Sequence, residues 1–229
     1  MRNIFPENIS TYGAEVDSLF FTITLFISIA FFISLFLLIY PLFKYKYKEG
    51  RKSSTVKGIG HKQLKWIYLG MAIMAVCDFF MLYQEHSTWV KIEETLPAEK
   101  DFEVAITGRQ WNWVFTYPGP DNILYTADDV IVNKQNSDLH VPINKNVIMD
   151  IKAIDVIHSL FLKNVRLKQD AIPGRTITRW FNATKTGKYE IACAEICGVL
   201  HSKMRNYLIV ESQEDFDKYL ADLYYPKEE

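Results

Sequence analysis

The chain has 229 residues, 49% of them apolar, with 26 Lys/Arg against 27 Asp/Glu. That length admits one large domain, or a smaller domain together with membrane segments. The near-neutral balance gives no ground for a nucleic-acid partner, and no internal repeat or low-complexity tract is present.

The first element is a run from Leu19 to Phe43 without a charged side chain over 25 residues. As a helix it would extend roughly 37 Å, enough to cross a hydrocarbon core of about 30 Å with some tilt. A second candidate, Trp66 to Tyr83, would extend roughly 27 Å and is interrupted by Asp78. A buried core helix is the competing reading of this second segment. The charges around it argue for a membrane span. Residues 44–65 carry eight Lys/Arg (Lys44, Lys46, Lys48, Arg51, Lys52, Lys57, Lys62, Lys65) against Glu49. Such a loop is expected to stay on the cytoplasmic or matrix side. The first 18 residues hold Arg2 against Glu7, Glu15 and Asp17, so they are expected outside. A cleaved signal peptide is not expected, since it would need a basic start and a shorter apolar run. The expected organisation is an outer N-terminal segment (1–18), a two-helix transmembrane hairpin (19–84) and an outer domain (85–229). Asp78, an acid within a span, is by default a functional candidate, with a structural contact to a partner subunit as the stronger reading.

Residues 85–229 carry 17 basic and 22 acidic side chains, a net of −5 that the whole-chain value of −1 hides. Short apolar or alternating runs predict strands at 102–107, 111–117, 147–154, 176–184, 188–193 and 207–211. Turn signals such as PGPDN, PINKN, IPG and KTGK separate them. Many short strands without intervening helices imply a β-sandwich or barrel. Only the tail from Ser212 has helical spacing, with Ser212 and Asp215 placed as a capping pair. The stretch 118–132, with Asp121, Asp128 and Asp129, reads as a solvated hairpin, a calcium loop being the alternative.

The chemistry concentrates in CAEICGVLHSKM, Cys193 to Met204. Cys193 and Cys197 are the only cysteines outside the predicted spans, because Cys77 lies in the second. An outward-facing compartment permits a disulfide, but a Cys-x3-Cys bridge closes a very small loop and leaves His201 and Met204 without a role. A zinc site of two cysteines and two histidines fits the spacing and leaves only Met204 unexplained. Thiolate, imidazole and thioether together are soft donors that suit copper. A mononuclear blue-copper centre takes one cysteine. Two thiolates on one loop could bridge two copper ions, each then needing an imidazole and a weak axial donor. His201 supplies one imidazole. Among His86, His140 and His158, the last, at the end of an apolar strand, is the strongest candidate for the other.

In these residues the chain resembles subunit II of the haem–copper respiratory oxidases, which carries the dinuclear copper centre CuA. The family pattern Cys-x-Glu-x-Cys-x3-His-x2-Met is complete in CAEICGVLHSKM, and the upstream histidine motif stands as DVIHS. LKQDAIPGR (167–175), the aromatic run GRQWNWVFTY (108–117) and the helix pair extend the resemblance over almost the whole chain. The resemblance implies a cupredoxin-like Greek-key sandwich. It implies Cys193 and Cys197 bridging two coppers, His158 and His201 each binding one, and Met204 sulfur and the Glu195 carbonyl as weak ligands. It further implies the Glu195 side chain at an interface magnesium with subunit I, and Trp111 as the residue through which electrons arrive. Asp155 would contribute to a negative surface for cytochrome c, and Asp170 and Arg175 would make polar contacts near subunit I or stabilise a turn. Implied partners are subunit I with its haems, subunit III, cytochrome c and membrane lipid. The implied setting is a bacterial cytoplasmic or mitochondrial inner membrane with both termini outside. The implied function is electron transfer from cytochrome c to haem in subunit I, where oxygen becomes water. A membrane nitric oxide reductase subunit and a membrane-anchored copper-binding or copper-delivery module are the alternatives. Departures from the family pattern are Gln63 in place of a glutamate before Trp66, Arg109 in place of histidine, and Asn112 in place of an aromatic residue. No Cys-x2-Cys-His occurs, so a fused cytochrome c domain is not expected.

Overall fold

The computed structural model describes residues 5–52, 58 and 60–225, with the side chains of Lys62 and Gln63 outside the description. Arg2 and Lys57, used above for topology, and the side chain of Gln63 therefore lie outside the described residues. The chain divides into two units, residues 15–90 and residues 1–14 with 91–229.

The first unit holds helices α1 (Gly13–Lys44) and α2 (His61–Trp89), the latter continued by a π-helical turn, Val90–Glu94. Both are long and apolar enough to cross a membrane. Their apolar side chains are exposed, Leu38 by 71% and Phe79 by 73%, so α2 is not the core helix of a water-soluble domain. Side chains so apolar and so uncovered need lipid around them, and a helix satisfies its own backbone there.

Among the described residues of the second unit, ten strands form two five-stranded sheets. They are β1 (Phe102–Arg109), β2 (Asn112–Tyr117), β3 (Val130–Val132), β4 (Leu139–Pro142), β5 (Asn146–Ala153), β6 (His158–Leu162), β7 (Leu167–Ala171), β8 (Ile177–Asn182), β9 (Gly187–Cys193) and β10 (Arg205–Glu211). One sheet runs β3-β2-β1-β5-β8 and the other β4-β10-β9-β6-β7. The pairs β1/β5 and β4/β10 are parallel and the others antiparallel. Burial follows the strand period of two: along β10, Asn206, Leu208 and Val210 are buried while Arg205 and Tyr207 are exposed. The core collects Val104, Ile106, Phe115, Val147, Met149 and Phe181 from one sheet, and Leu139, Val141, Leu160, Ile191 and Leu208 from the other. This is the β-sandwich the sequence implies. The short strands β3, β4, β6 and β7 add to the six expected runs.

Helix α3 (Gln213–Tyr224) closes the domain. Ser212 caps it, its Oγ accepting from the Asp215 amide at 3.1 Å. Phe216 is buried edge-on against Phe102, with centroids 5.0 Å apart, and Tyr219 stacks on His140 at 3.9 Å. Residues before α1 also belong to this unit. The Ile9 amide donates to Asn164 O (2.9 Å), the Thr184 amide donates to Ile9 O (2.7 Å), and Ile9 and Tyr12 are fully buried. In the 118–132 hairpin the carboxylates hold turns. Asp121 accepts from the Ile123 amide (2.9 Å), Asp129 from the Tyr125 amide (2.7 Å), and Asp128 from Thr126 Oγ1 (2.6 Å). That matches the solvated-turn reading.

Candidate metal centre

Strands β9 and β10 are antiparallel neighbours, with Ala192 opposite Arg205, so the segment between them must leave the sheet and return. The Cys193 amide donates to Met204 O (3.2 Å) and closes the base of this loop. The Ala194 amide donates to Ser159 O (2.9 Å) and ties the loop to β6. A 3-10 turn, His201–Lys203, then brings the chain back, the His201 amide donating to Gly198 O (3.1 Å) and the Met204 amide to His201 O (3.1 Å). Gly198 sits at φ +127°, a backbone region that side chains other than glycine rarely adopt.

The fold brings all six predicted site residues together. Cys193 and Cys197 are free and buried, their sulfurs 3.8 Å apart, far beyond the roughly 2.05 Å of a disulfide. His158 Nδ1 lies 4.0 Å from Cys193 Sγ, and His201 Nδ1 3.5 Å from Cys197 Sγ. Met204 Sδ is 3.9 Å from Cys197 Sγ, and the Glu195 carbonyl oxygen 3.3 Å from Cys193 Sγ. The ligand atoms of His158, Cys193 and Cys197 all lie within 4.8 Å of one another. Each sulfur thus has one imidazole and one weaker donor beside it. The Glu195 side chain itself is exposed.

His158 opens β6 with its ring fully buried. Its Nε2 faces Asp155 Oδ1 at 2.8 Å, which leaves Nδ1 turned to the sulfurs. This carboxylate–imidazole pairing is the usual way a ligand histidine is oriented. Gly108 on β1 makes room for the ring, since a Cβ there would lie 3.0 Å from His158 Cδ2 and 3.1 Å from Trp113. Trp113 meets the imidazole edge-on, with centroids 6.0 Å apart. Of the other histidines weighed, His140 is engaged elsewhere, 3.0 Å from Glu211 and stacked on Tyr219.

The electrostatics favour a cation here. Burial opposes charge on Cys193, but His158 and the backbone amides around the thiol outweigh it, and its pKa falls to about 6. Burial, and then the charge on Cys193, push the Cys197 thiol well above its ordinary range. Two thiolates side by side need a positive partner, and a soft metal supplies one. Burial likewise opposes charge on His158, yet Cys193 and Asp155 together raise its pKa.

Trp111 is half-buried beside the loop: a Cβ on Gly198 would lie 3.1 Å from Trp111 Nε1. Among the described residues its indole N–H has no acceptor. Sequence reasoning missed Gln110, the residue before Trp111. Gln110 Nε2 donates to Cys197 O (2.7 Å), and the Gln110 amide donates to Asp155 Oδ2 (2.6 Å). Asn112 is buried and pins the loop before β4, donating to Lys134 O (3.3 Å) and accepting from the Asn136 amide (3.3 Å). Asn112, a departure from the family pattern in sequence, therefore holds the loop in place. For Gln110, adjacency to Trp111 was the only available signal. Asp170, within β7, accepts from Ser159 Oγ at 2.7 Å across the β6–β7 pair, with Lys168 of its own strand at 3.2 Å, so within the chain it braces paired strands.

Residues 102–212 match the family model for the cytochrome c oxidase subunit II periplasmic domain. The alternative cytochrome c oxidase subunit 2 of Bradyrhizobium diazoefficiens is 32% identical over 205 residues, covering 79% of this chain and 70% of that protein. Cytochrome c oxidase subunit 2 of Thermostichus vulcanus is 45% identical over 117 residues, covering 51% of this chain and 32% of that protein. Among solved structures, the periplasmic domain of subunit II of cytochrome oxidase (CoxB) of Bradyrhizobium japonicum aligns with a TM-score of 0.48 at 29% identity, covering 56% of this chain and 96% of that one. With two membrane-type helices, the β-sandwich and these relatives, the chain belongs to the cytochrome c oxidase subunit II family, a membrane-anchored subunit of haem–copper oxidases.

Proposed function

We propose that this chain is the subunit through which electrons enter a cytochrome c oxidase, and that it holds a dinuclear CuA centre. One observation carries the reading: two separate thiols 3.8 Å apart, each with its own imidazole and its own weak donor. A single tetrahedral zinc uses four donors, and this site offers six. Soft sulfur and imidazole donors in that number fit a pair of coppers. Cys193, Cys197, His158, His201, Met204 and the Glu195 carbonyl would together hold the ions. When bound, the copper pair would take up and release one electron at a time.

The chain's own residues would keep the ligands still. Asp155 fixes the His158 ring at the start of β6, the ends of β9 and β10 anchor Cys193 and Met204, and burial of Cys193, Cys197, Met204 and His158 excludes water. A rigid, dry site changes little between redox states, which suits rapid transfer. Trp111, lying against the loop that carries Cys197, is the proposed point of arrival for electrons.

The donor would be cytochrome c, drawn by the acidic outer domain, and steering of this kind weakens with salt. The acceptor would be haem in subunit I, where oxygen is reduced to water. The Glu195 side chain would help hold a magnesium ion against subunit I, and subunit III would complete the assembly. Residues 19–84 would form the hairpin, with 44–65 inside. Both termini would lie outside, a placement supported by the packing of Ile9 and Tyr12 into the β-unit.

The test is to purify the native complex, count its copper and record electron spin resonance. One unpaired electron shared between two copper nuclei, with oxygen consumed on adding reduced cytochrome c, is the expected result. One zinc per chain would refute the copper assignment. Turnover of nitric oxide but not oxygen would instead identify a nitric oxide reductase subunit.

A further inference from the structure

The site has two carriers that the backbone does not join directly. His158 stands at the start of β6, while Cys197 sits near the turn of a loop whose ends are fixed on β9 and β10. The loop is tied to β6 near its base, through the Ala194 amide and Ser159 O, three residues before Cys197. One further connection reaches Cys197 itself, and it comes from the β1–β2 turn. The Gln110 amide donates to Asp155 Oδ2 at 2.6 Å, and Asp155 Oδ1 holds His158 Nε2 at 2.8 Å. The Gln110 side-chain amide donates to Cys197 O at 2.7 Å. One residue thus grips the support of the histidine with its backbone and the support of the sulfur with its side chain. The next residue is Trp111, whose indole edge rests on Gly198, immediately after Cys197.

We propose that Gln110 is a positioning residue for the metal pair, setting the separation of Cys197 from His158 and seating Trp111 against the loop. This rests on the CuA reading above. Sharing of charge between two metals depends on how closely their ligand sets are balanced, so a tether that fixes one sulfur relative to the opposite imidazole acts on that balance. The amide is suited to the task because it donates to a carbonyl without adding charge next to two thiolates. A glutamate of the same shape would bring a carboxylate against the Cys197 carbonyl.

The test compares Gln110→Ala and Gln110→Glu with the parent in the full-length protein. Gln110 is exposed, so neither change opens a cavity in the core. In copper-free protein, alkylation of Cys197 by a neutral reagent reports opening of the loop, with buried Cys193 as the internal reference. Loss of one hydrogen bond should raise the Cys197 rate about 2- to 10-fold relative to Cys193 in both variants. In copper-loaded protein, both variants should keep the parental copper content, while the spin resonance pattern becomes less evenly shared and the reduction potential shifts. Equal acceleration of both cysteines would mean general loosening and would overturn the proposal. So would parental behaviour of Gln110→Glu, which would assign the role to shape alone, or an unchanged spectrum and potential in both variants. Absence of a shared-electron spectrum from the parent would refute the CuA reading itself. The alkylation ratio would then still decide whether Gln110 holds the loop.

Discussion

Asp155→Asn tests how firmly the outer contacts of His158 govern metal binding. The carboxylate uses both oxygens: Oδ1 receives His158 Nε2 (2.8 Å) and the Val156 amide (2.7 Å), and Oδ2 receives the Gln110 amide (2.6 Å). Asparagine has one acceptor oxygen. With that oxygen toward His158, its NH2 group faces the Gln110 N–H, a donor against a donor; turned round, it faces the imidazole and disturbs the Nδ1-to-metal orientation. Removing an outer hydrogen-bond partner of a ligand histidine generally costs 10–100-fold in metal affinity. Asp155 is 31% exposed, so its charge is partly screened and the lower half of that range applies, about 10–30-fold or 1.4–2 kcal/mol. Copper titration against a competing chelator, on the full-length protein at neutral pH, measures it. Asp121→Asn, in the 118–132 hairpin, serves as the control and should bind as the parent does. An Asp155→Asn affinity within about 2-fold of the parent would refute the claim that this carboxylate orients the ligand.

Four further substitutions have outcomes set by named contacts. Gly108→Ala places a methyl group 3.0 Å from the His158 ring and 3.1 Å from Trp113; both rings are buried, so overpacking of about 1–3 kcal/mol and weakened copper retention are expected by thermal unfolding and metal analysis. Met204→Leu should keep both metals, since the thiolates and imidazoles remain, but shift the potential and slow electron transfer; Cys197→Ser should abolish the shared-electron spectrum. Asp101 is held below its ordinary carboxylate range, first by the Asn146 amide and then by Lys145. Its stabilising effect is therefore complete above the unfolded value of about 3.9 and fades as pH falls through the lower folded value. Asp101→Asn should accordingly be less stable than the parent at pH 7 and approach it in acid, as read by denaturant unfolding at each pH. A constant gap would contradict the assignment.

Some of this protein could be read residue by residue, because the signals are local. The uncharged run from Leu19 to Phe43 has only one favourable environment, whatever folds around it. The alternating pattern of β10 and the cap at Ser212 are likewise written in adjacent residues. Cysteine, histidine and methionine spacing in 193–204 placed four candidate donors on one loop before any fold was known, and the family resemblance added the Glu195 carbonyl. Other features have no local signal. β3 is three residues long and β4 four, too short for periodicity to show, and β6 reads as an apolar run around a histidine. The burial of Ile9 and Tyr12 depends on contacts with residues more than 150 positions away.

By itself the sequence determined the two apolar helices, the β character of the outer domain and the chemical softness of the donors, since each depends on side-chain type and short-range spacing. Only the tertiary structure decided that Nδ1 of His158 faces the sulfurs, that the thiols stand apart at 3.8 Å, and that Gln110 links Asp155 to Cys197. Those relations join β1, β6 and the β9–β10 loop, segments between 35 and 87 residues apart that meet only when the two sheets close on their shared core.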